Sequence, residues 1–453
     1  MLGCRIPEER RRSMRSSRAR LLAPLLAGAG LGAGACTSPP AGPAASAPNV
    51  VLIVIDTLRA DRLPFHGYAS NTAPFLSQLA SKGTVFENAQ STSAWTGPAT
   101  ASLFTGLYPF QHNVVVNFHE TRKLQRSGMA IELNRIPEEL ETIPESMKRA
   151  GYTTFGIVSN WNVGDPMGFS SGFDAFAHFS RSETATQVNA KLMEWEDRIK
   201  RSGRYFLYLH YFDPHAPYIN REPGAARRPT GPAEQAAAYD SEIRFVDGRI
   251  RQAYERFAWA QGTALLVTAD HGEELHDRGR FGHSTTLFSE LVHVPLLVQL
   301  PGRPRVRRRV AETVSHVDVL PTLRELAGLP ADPRNSGRSL LPSIRGRGDG
   351  QGDRCVFAHL VRGTGRREMV LRAAIRGDWK YVEVTPGQRL LFNMKDDPRE
   401  IANRIAESPQ VARELADALH EYERGAPKYT SKKSTVQLDR REQEELRALG
   451  YLQ

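Results

Sequence analysis

Asp56, Thr96, Asp270 and His271 combine two hard carboxylates, an imidazole and a hydroxyl. That mixture suits one divalent ion. A hydroxyl bound to such an ion loses its proton near neutral pH and becomes an attacking alkoxide. The carboxylates favour Ca²⁺, Mg²⁺ or Mn²⁺, and the imidazole admits Zn²⁺. Thr96 opens the stretch Thr96-Gly97-Pro98-Ala99-Thr100-Ala101-Ser102-Leu103-Phe104-Thr105-Gly106. Pro98 fits a first helical turn and Gly106 a stop, so Thr96 sits at the mouth of a helix whose free N–H groups favour an anion. Taken alone, a hydroxyl there is more simply a helix cap. The acids and the imidazole delivered by distant segments turn the reading toward chemistry.

Those segments have a common form. The β-branched run Asn49–Ile55 ends in Asp56, Thr153–Val158 runs into Ser159-Asn160, and Tyr205–Tyr211 runs into Asp213-Pro214-His215. Ala264–Thr268 runs into Asp270-His271, and His293–Val298 makes a further strand. Continuous apolar runs of this kind read as strands buried on both faces. Helical patterns at 73–81, 143–150 and 233–257 lie between them, so the expected fold is α/β, a mainly parallel sheet sandwiched by helices. Ligands in such folds bind beyond the carboxyl ends of the strands, where these polar residues fall.

From about residue 351 the pattern changes. Short strand candidates at 355–360, 369–376, 380–384 and 390–393 are separated by glycine turns, and Ser408-Pro409 opens a helix with Val411, Leu415, Leu419 and Tyr422 on one face. The expected organisation is a signal peptide and tether at 1–47, a catalytic domain at 48–350, a small antiparallel subdomain at 351–427, and a polar tail at 428–453 with a short helix over 440–449.

The leader is distinctive. Residues 1–20 carry seven Arg against two Glu, an apolar run follows at 21–31, and Gly32-Ala33-Gly34-Ala35-Cys36 closes it. A basic region, an apolar region and a small-residue cleavage zone make an export signal. It resembles a bacterial lipoprotein signal with Cys36 as the acylated residue, which implies an exported, lipid-anchored protein at the periplasm or outer cell surface. Met14 gives a more compact leader than Met1. Residues 37–48, rich in Pro, Ala and Ser, read as a flexible tether. Without the leader, half of the formal net charge of +10 is gone, so no nucleic acid or other polyanion is implied. The basic cluster of Arg303, Arg305, Arg307, Arg308 and Arg309 is read as a solvated loop. Of three cysteines, only Cys355 lies beyond the leader, so no disulfide is expected.

Residues 48–426 resemble the sulfatase family of the alkaline phosphatase superfamily. The matching stretches are 49–62, Thr96–Gly106, Asp213-Pro-His-Ala-Pro-Tyr218, Asp270-His-Gly-Glu273, Gly282-His283, Asp318-Val-Leu-Pro-Thr322, Arg376-Gly-Asp-Trp-Lys-Tyr381 and 391–398. The resemblance implies the family fold, one bound divalent metal, and hydrolysis or transfer of a sulfate or phosphate ester. It makes Asp56, Asp270 and His271 metal ligands, together with the Thr96 oxygen. It places His215 against the ester group and His283 against the leaving oxygen. Thr96 stands where the family carries the Cys or Ser that matures to formylglycine, and oxidising Thr would give a ketone instead. Thr100, Asn160 and Asn162 stand where the family carries Arg, Lys and His, as substrate-binding positions. Neutral groups there stabilise less negative charge, which suits a phosphodiester or another monoanion better than a dianionic monoester. The expectation is thus an exported ester hydrolase or transferase with Thr96 as nucleophile, favouring phosphoesters, acting on a small-molecule, glycan or lipid ester. The alternatives are sulfate-ester hydrolysis without formylglycine, and a non-catalytic binding protein on the same scaffold. A second metal has only Asp213, His215 and His316 to draw on.

Overall fold

The computed structural model describes residues 47–436 except 116–130, 180–183, 225–226, 303–306, 348–353 and 364–367. The signal peptide, Cys36, the tether up to residue 46 and the helix expected over 440–449 lie outside the described residues. Among the described residues no helix is long and apolar enough to cross a membrane.

The main sheet holds β1 (Asn49–Ile55), β2 (Thr84–Gln90), β3 (Thr153–Val158), β4 (Ala175–His178), β5 (Tyr205–Tyr211), β6 (Thr263–Thr268), β7 (His293–Gln299) and β8 (Arg308–Ser315). Their spatial order is β8-β2-β7-β6-β1-β5-β3-β4. Only β7 runs antiparallel to its neighbours. β1 sits at the centre and every one of its residues after Asn49 is buried, which is why it reads as an unbroken apolar run. Helices 143–149 and 232–256 lead into β3 and β6, and the parallel pairing of these strands brings several strand ends to one edge.

Register sets that edge. Val158, His210, Val54 and Thr268 are paired across β3, β5, β1 and β6 at one level of the sheet. Two residues beyond that level on their own strands come Asn160, Asp56 and Asp270, while His210 lies on it. Parallel pairing therefore delivers four polar residues of very different sequence number to one place.

A second sheet is antiparallel, in the order β9 (Val356–Arg362), β10 (Met369–Arg376), β11 (Trp379–Val384) and β12 (Gln388–Asn393), and the Pro409–Gly425 helix packs on it through Ala412, Leu415 and Leu419. The described residues from Ala47 onward cluster as one compact unit, so this small sheet belongs to the same body as the large one. Lys380 and Glu400, both wholly buried, pair at 2.9 Å. The other Glu400 oxygen accepts the Ser289 N–H at 2.7 Å, tying the small sheet to the segment before β7.

Two expectations need correction. The basic stretch read as a solvated loop is a strand from Arg308 onward, because Arg308 and Arg309 pair with Thr84 and Val85 of β2. The tail read as polar coil contains a strand, Lys433–Val436, paired antiparallel with Ile131–Asn134. Both lack an apolar pattern, being edge or two-stranded elements with little to bury.

Removing one partner of the buried Lys380–Glu400 pair strands the other charge. Lys380→Met should cost about 3–5 kcal/mol in denaturant unfolding, whereas Lys380→Met with Glu400→Gln should recover most of that loss. Additive losses would show that the two groups do not interact.

Candidate active site

The two carboxylates set the geometry. One oxygen each of Asp56 and Asp270 and a ring nitrogen of His210 lie within 4.8 Å of one another, and all three residues are buried. Thr57, following β1, takes a left-handed conformation with φ 56°, uncommon for a β-branched residue. That turn aims its N–H at Asp270 Oδ1, 3.2 Å away, while its carbonyl accepts the Tyr239 hydroxyl at 2.8 Å. His271 N–H also donates to Asp270 Oδ1, at 2.8 Å. Asn160 Nδ2 donates to Asp56 Oδ2 in a short hydrogen bond, and His210 Nε2 lies 3.3 Å from the same oxygen. Asp56 Oδ1 and Asp270 Oδ2 are then left buried with no hydrogen-bond partner.

Two unpartnered buried carboxylate oxygens beside an imidazole are costly without a cation. Burial raises the Asp56 carboxyl above its ordinary range, and burial with the charge of Asp56 pushes Asp270 up to about 7. Burial pushes His210 down to about 4, so it stays neutral with a nitrogen to share. Neutral imidazole and paired carboxylates are the donor set of a divalent cation, and the residues fit one.

Thr96 faces this cluster as the first residue of the Thr96–Thr105 helix, whose ten residues are all buried. Gly97 is required there: a Cβ would stand 2.8 Å from the Trp95 ring. Thr96 Oγ1 lies 3.3 Å from His271 Nε2 and 3.4 Å from Asn160 Nδ2. His271 Nδ1 donates to the Gly272 carbonyl at 2.7 Å, which leaves Nε2 as the lone-pair nitrogen. Its Nε2 is 3.8 Å from Asp56 Oδ1 and 3.5 Å from Asp270 Oδ2. Burial, with the charge of His283 next, holds its pKa well below the ordinary value. Gly272 has no room for a side chain, since a Cβ would fall 2.0 Å from the Glu290 carbonyl.

Two further imidazoles flank the cluster. His215 stacks on Phe212, ring centroids 4.3 Å apart, and meets His283 edge-on at 5.0 Å. Its Nδ1 donates to the Ala216 carbonyl at 2.5 Å, and burial lowers its pKa. The His283 ring lies 4.7 Å from that of His271, and its Nδ1 is 2.8 Å from Glu273 Oε1. Burial opposes charge on His283, but the Glu273 carboxylate outweighs it and raises the pKa. The two neighbouring imidazoles are thus pushed in opposite directions, His215 down and His283 up.

Asp56, Thr96, Asn160, Asp270 and His271 are therefore brought together, with His215 and His283 beside them. Asn160, expected to bind substrate, has its amide turned to Asp56 and Thr96 and its carbonyl to the Asn162 N–H at 2.8 Å, so it positions the cluster. Thr100 Oγ1 and Asn162 Oδ1 are buried without partners. Asp213 and His316 do not form a second metal set. Asp213 accepts Ala185 N–H at 2.7 Å and pairs with Arg221 at 2.5 Å, and His316 Nε2 bonds the Ala269 carbonyl at 2.9 Å. Glu273 and His210 were not anticipated. The signal for His210 was available: an imidazole inside a wholly apolar strand demands a partner.

The sulfatase family model matches residues 48–329. The chain belongs to the sulfatase family of ester hydrolases. A model for the C-terminal part of N-sulphoglucosamine sulphohydrolase matches residues 279–425. N-acetylgalactosamine-6-sulfatase of Canis lupus familiaris is 26% identical over 379 residues, spanning 71% of this chain and 69% of that protein. Arylsulfatase K of Homo sapiens is 23% identical over 454 residues, spanning 83% and 82%. Among solved structures, a 2-O GAG sulfatase superposes with TM-score 0.71 at 18% identity, covering 83% of this chain and 92% of that one. Phosphonate monoester hydrolase of Agrobacterium radiobacter superposes with TM-score 0.65 at 20% identity, covering 87% and 98%. These superpositions establish the shared sulfatase fold, a mainly parallel sheet with a small antiparallel one after it.

Metal analysis of the purified protein should find one divalent ion per chain. Asp56→Ala and Asp270→Ala should abolish it and His210→Ala should weaken it, while Asp213→Asn should leave it in place. Full occupancy in Asp270→Ala would remove that carboxylate from the site.

Proposed function

We propose that this sulfatase-family chain cleaves sulfate or phosphate esters with Thr96 as nucleophile, and that phosphoesters are preferred. The observation that carries this reading is Thr96 Oγ1 set 3.3 Å from the lone-pair nitrogen of His271, beside two unpartnered carboxylate oxygens. Asp56, Asp270, His210 and His271 would hold one divalent cation, which supplies Lewis-acid polarisation of the ester and a lowered pKa for a hydroxyl in its shell.

The chain's own groups divide the rest of the work. Asn160, bonded to both Asp56 and Thr96, fixes the direction from which the hydroxyl attacks. His283, whose pKa the Glu273 carboxylate raises, is placed to give a proton to the departing alcohol oxygen. His215, kept neutral by burial, is the acceptor for the proton of the water that later cleaves the Thr96 ester. That second cleavage is obligatory, because a plain threonine lacks the elimination open to formylglycine. Thr100, Asn160 and Asn162 bring no charge, so the pocket favours a monoanionic group.

A second reading is sulfate-ester hydrolysis through the same residues, supported by relatives such as N-acetylgalactosamine-6-sulfatase. The leader supports an exported protein anchored through a lipid on Cys36.

Parent, Thr96→Ser and Thr96→Ala should be assayed on matched aryl sulfate, phosphate monoester and phosphodiester substrates. Phosphodiester turnover should lead, Thr96→Ser should keep part of it, and Thr96→Ala should lose on the order of 10⁴- to 10⁶-fold. If Thr96→Ala matches the parent, the hydroxyl is a helix cap. If nothing turns over with any metal, the chain is a binding scaffold.

A further inference from the structure

The catalytic groups occupy one edge of the main sheet, and a different chemistry occupies the opposite edge. There a cavity of about 230 Å³ opens between the starts of β2, β6 and β8 and the end of β7. Lys82, Arg308 and Arg345 line it with Thr84, Thr263 and Gln299, and no carboxylate is among its lining residues. Arg345 pairs with Glu325 at 3.3 Å on the outside. Arg309, next in the strand, is taken by Glu87 at 2.6 Å. Lys82 and Arg308 have no ion-pair partner among the described residues. The Arg308 guanidinium lies against Gly346, where a Cβ would come within 2.3 Å of it.

The chain enters the domain at this same edge. Asn49, the first residue of β1, pairs with Thr263, and its N–H donates to the Gly262 carbonyl at 3.1 Å. Pro48 is fixed by the Tyr152 hydroxyl at 2.9 Å. Only twelve residues separate Cys36 from Asn49. A domain held that closely turns toward the membrane the edge from which its tether leaves. A basic patch beside such an anchor adds attraction to anionic lipid.

We propose that the basic edge around Lys82, Arg308 and Arg345 docks on an anionic lipid surface, the cavity receiving a headgroup phosphate. This builds on the lipid-anchored reading of the leader. It leaves the Asp56–Asp270 edge facing away from the bilayer, open to substrate.

The test uses the Cys36→Ser protein, so that no acyl chain contributes, with vesicles of phosphatidylethanolamine and phosphatidylglycerol against pure phosphatidylcholine. Co-sedimentation should occur only with phosphatidylglycerol and should weaken as salt rises. Each cation at such a surface is worth about five-fold in affinity, so Lys82→Ala with Arg308→Ala should weaken binding roughly 25-fold. Lys395→Ala with Arg413→Ala, the same charge change elsewhere, should not. Hydrolysis of a soluble ester should be the same in all of these proteins. Equal binding to phosphatidylcholine, or equal binding by the two double variants, would overturn the proposal. Stoichiometric binding of inorganic phosphate by a protein that does not sediment with phosphatidylglycerol vesicles would overturn it in favour of a free-anion site. The anchored reading fails separately, if the intact mass of the parent protein shows no lipid on Cys36.

Discussion

Two carboxylates buried side by side dominate this molecule. Asp56 and Asp270 end adjacent parallel strands, and neither can leave without breaking the register that pairs Val54 with Thr268. Like charges in a dry interior repel, so their shared site either keeps a proton or takes a cation. The surrounding residues are arranged for the second outcome. The left-handed turn at Thr57 and the Asn160 amide satisfy two of the four carboxylate oxygens, and the other two stay without partners. Such supporting contacts orient ligands and tune the metal they hold.

The remaining groups are graded by charge around that pair. His271 is kept neutral and presents its lone pair to Thr96, whereas the pKa of His283 is raised by a buried carboxylate three residues beyond Asp270. Imidazoles pushed in opposite directions at such close quarters are the usual mark of divided acid and base duties. The loop between them passes hard against the Glu290 carbonyl, and only a glycine at 272 leaves room for that approach.

Much of this was legible in the sequence because the central strands are buried on both faces. The runs 49–55, 153–158 and 205–211 match the strands to the residue, and each hands its polar terminus to the site. Asp56, Thr96, Asp270 and His271 could be assembled from strand ends and family resemblance together. What could not be read depended on register or on charge pairing. His210 hides inside a strand whose apolar neighbours suggest only core, and it matters because it lies level with Val54. Glu273 becomes meaningful only when His283 folds back to it. Arg308 and Arg309 look like loop because an edge strand beside a basic cavity has no apolar alternation to show. Asp213, conspicuous after a strand, faces Arg221 instead of the cluster.

A Thr96 nucleophile requires the substrate's anionic group to pass through a covalent ester on that residue. Rapid quenching of the enzyme during turnover, followed by peptide mass spectrometry, tests it most directly. The account predicts a phospho or sulfo group on the peptide bearing Thr96, present during turnover and absent from Thr96→Ala. Full turnover with that peptide always unmodified, or with the group on another residue, would contradict it.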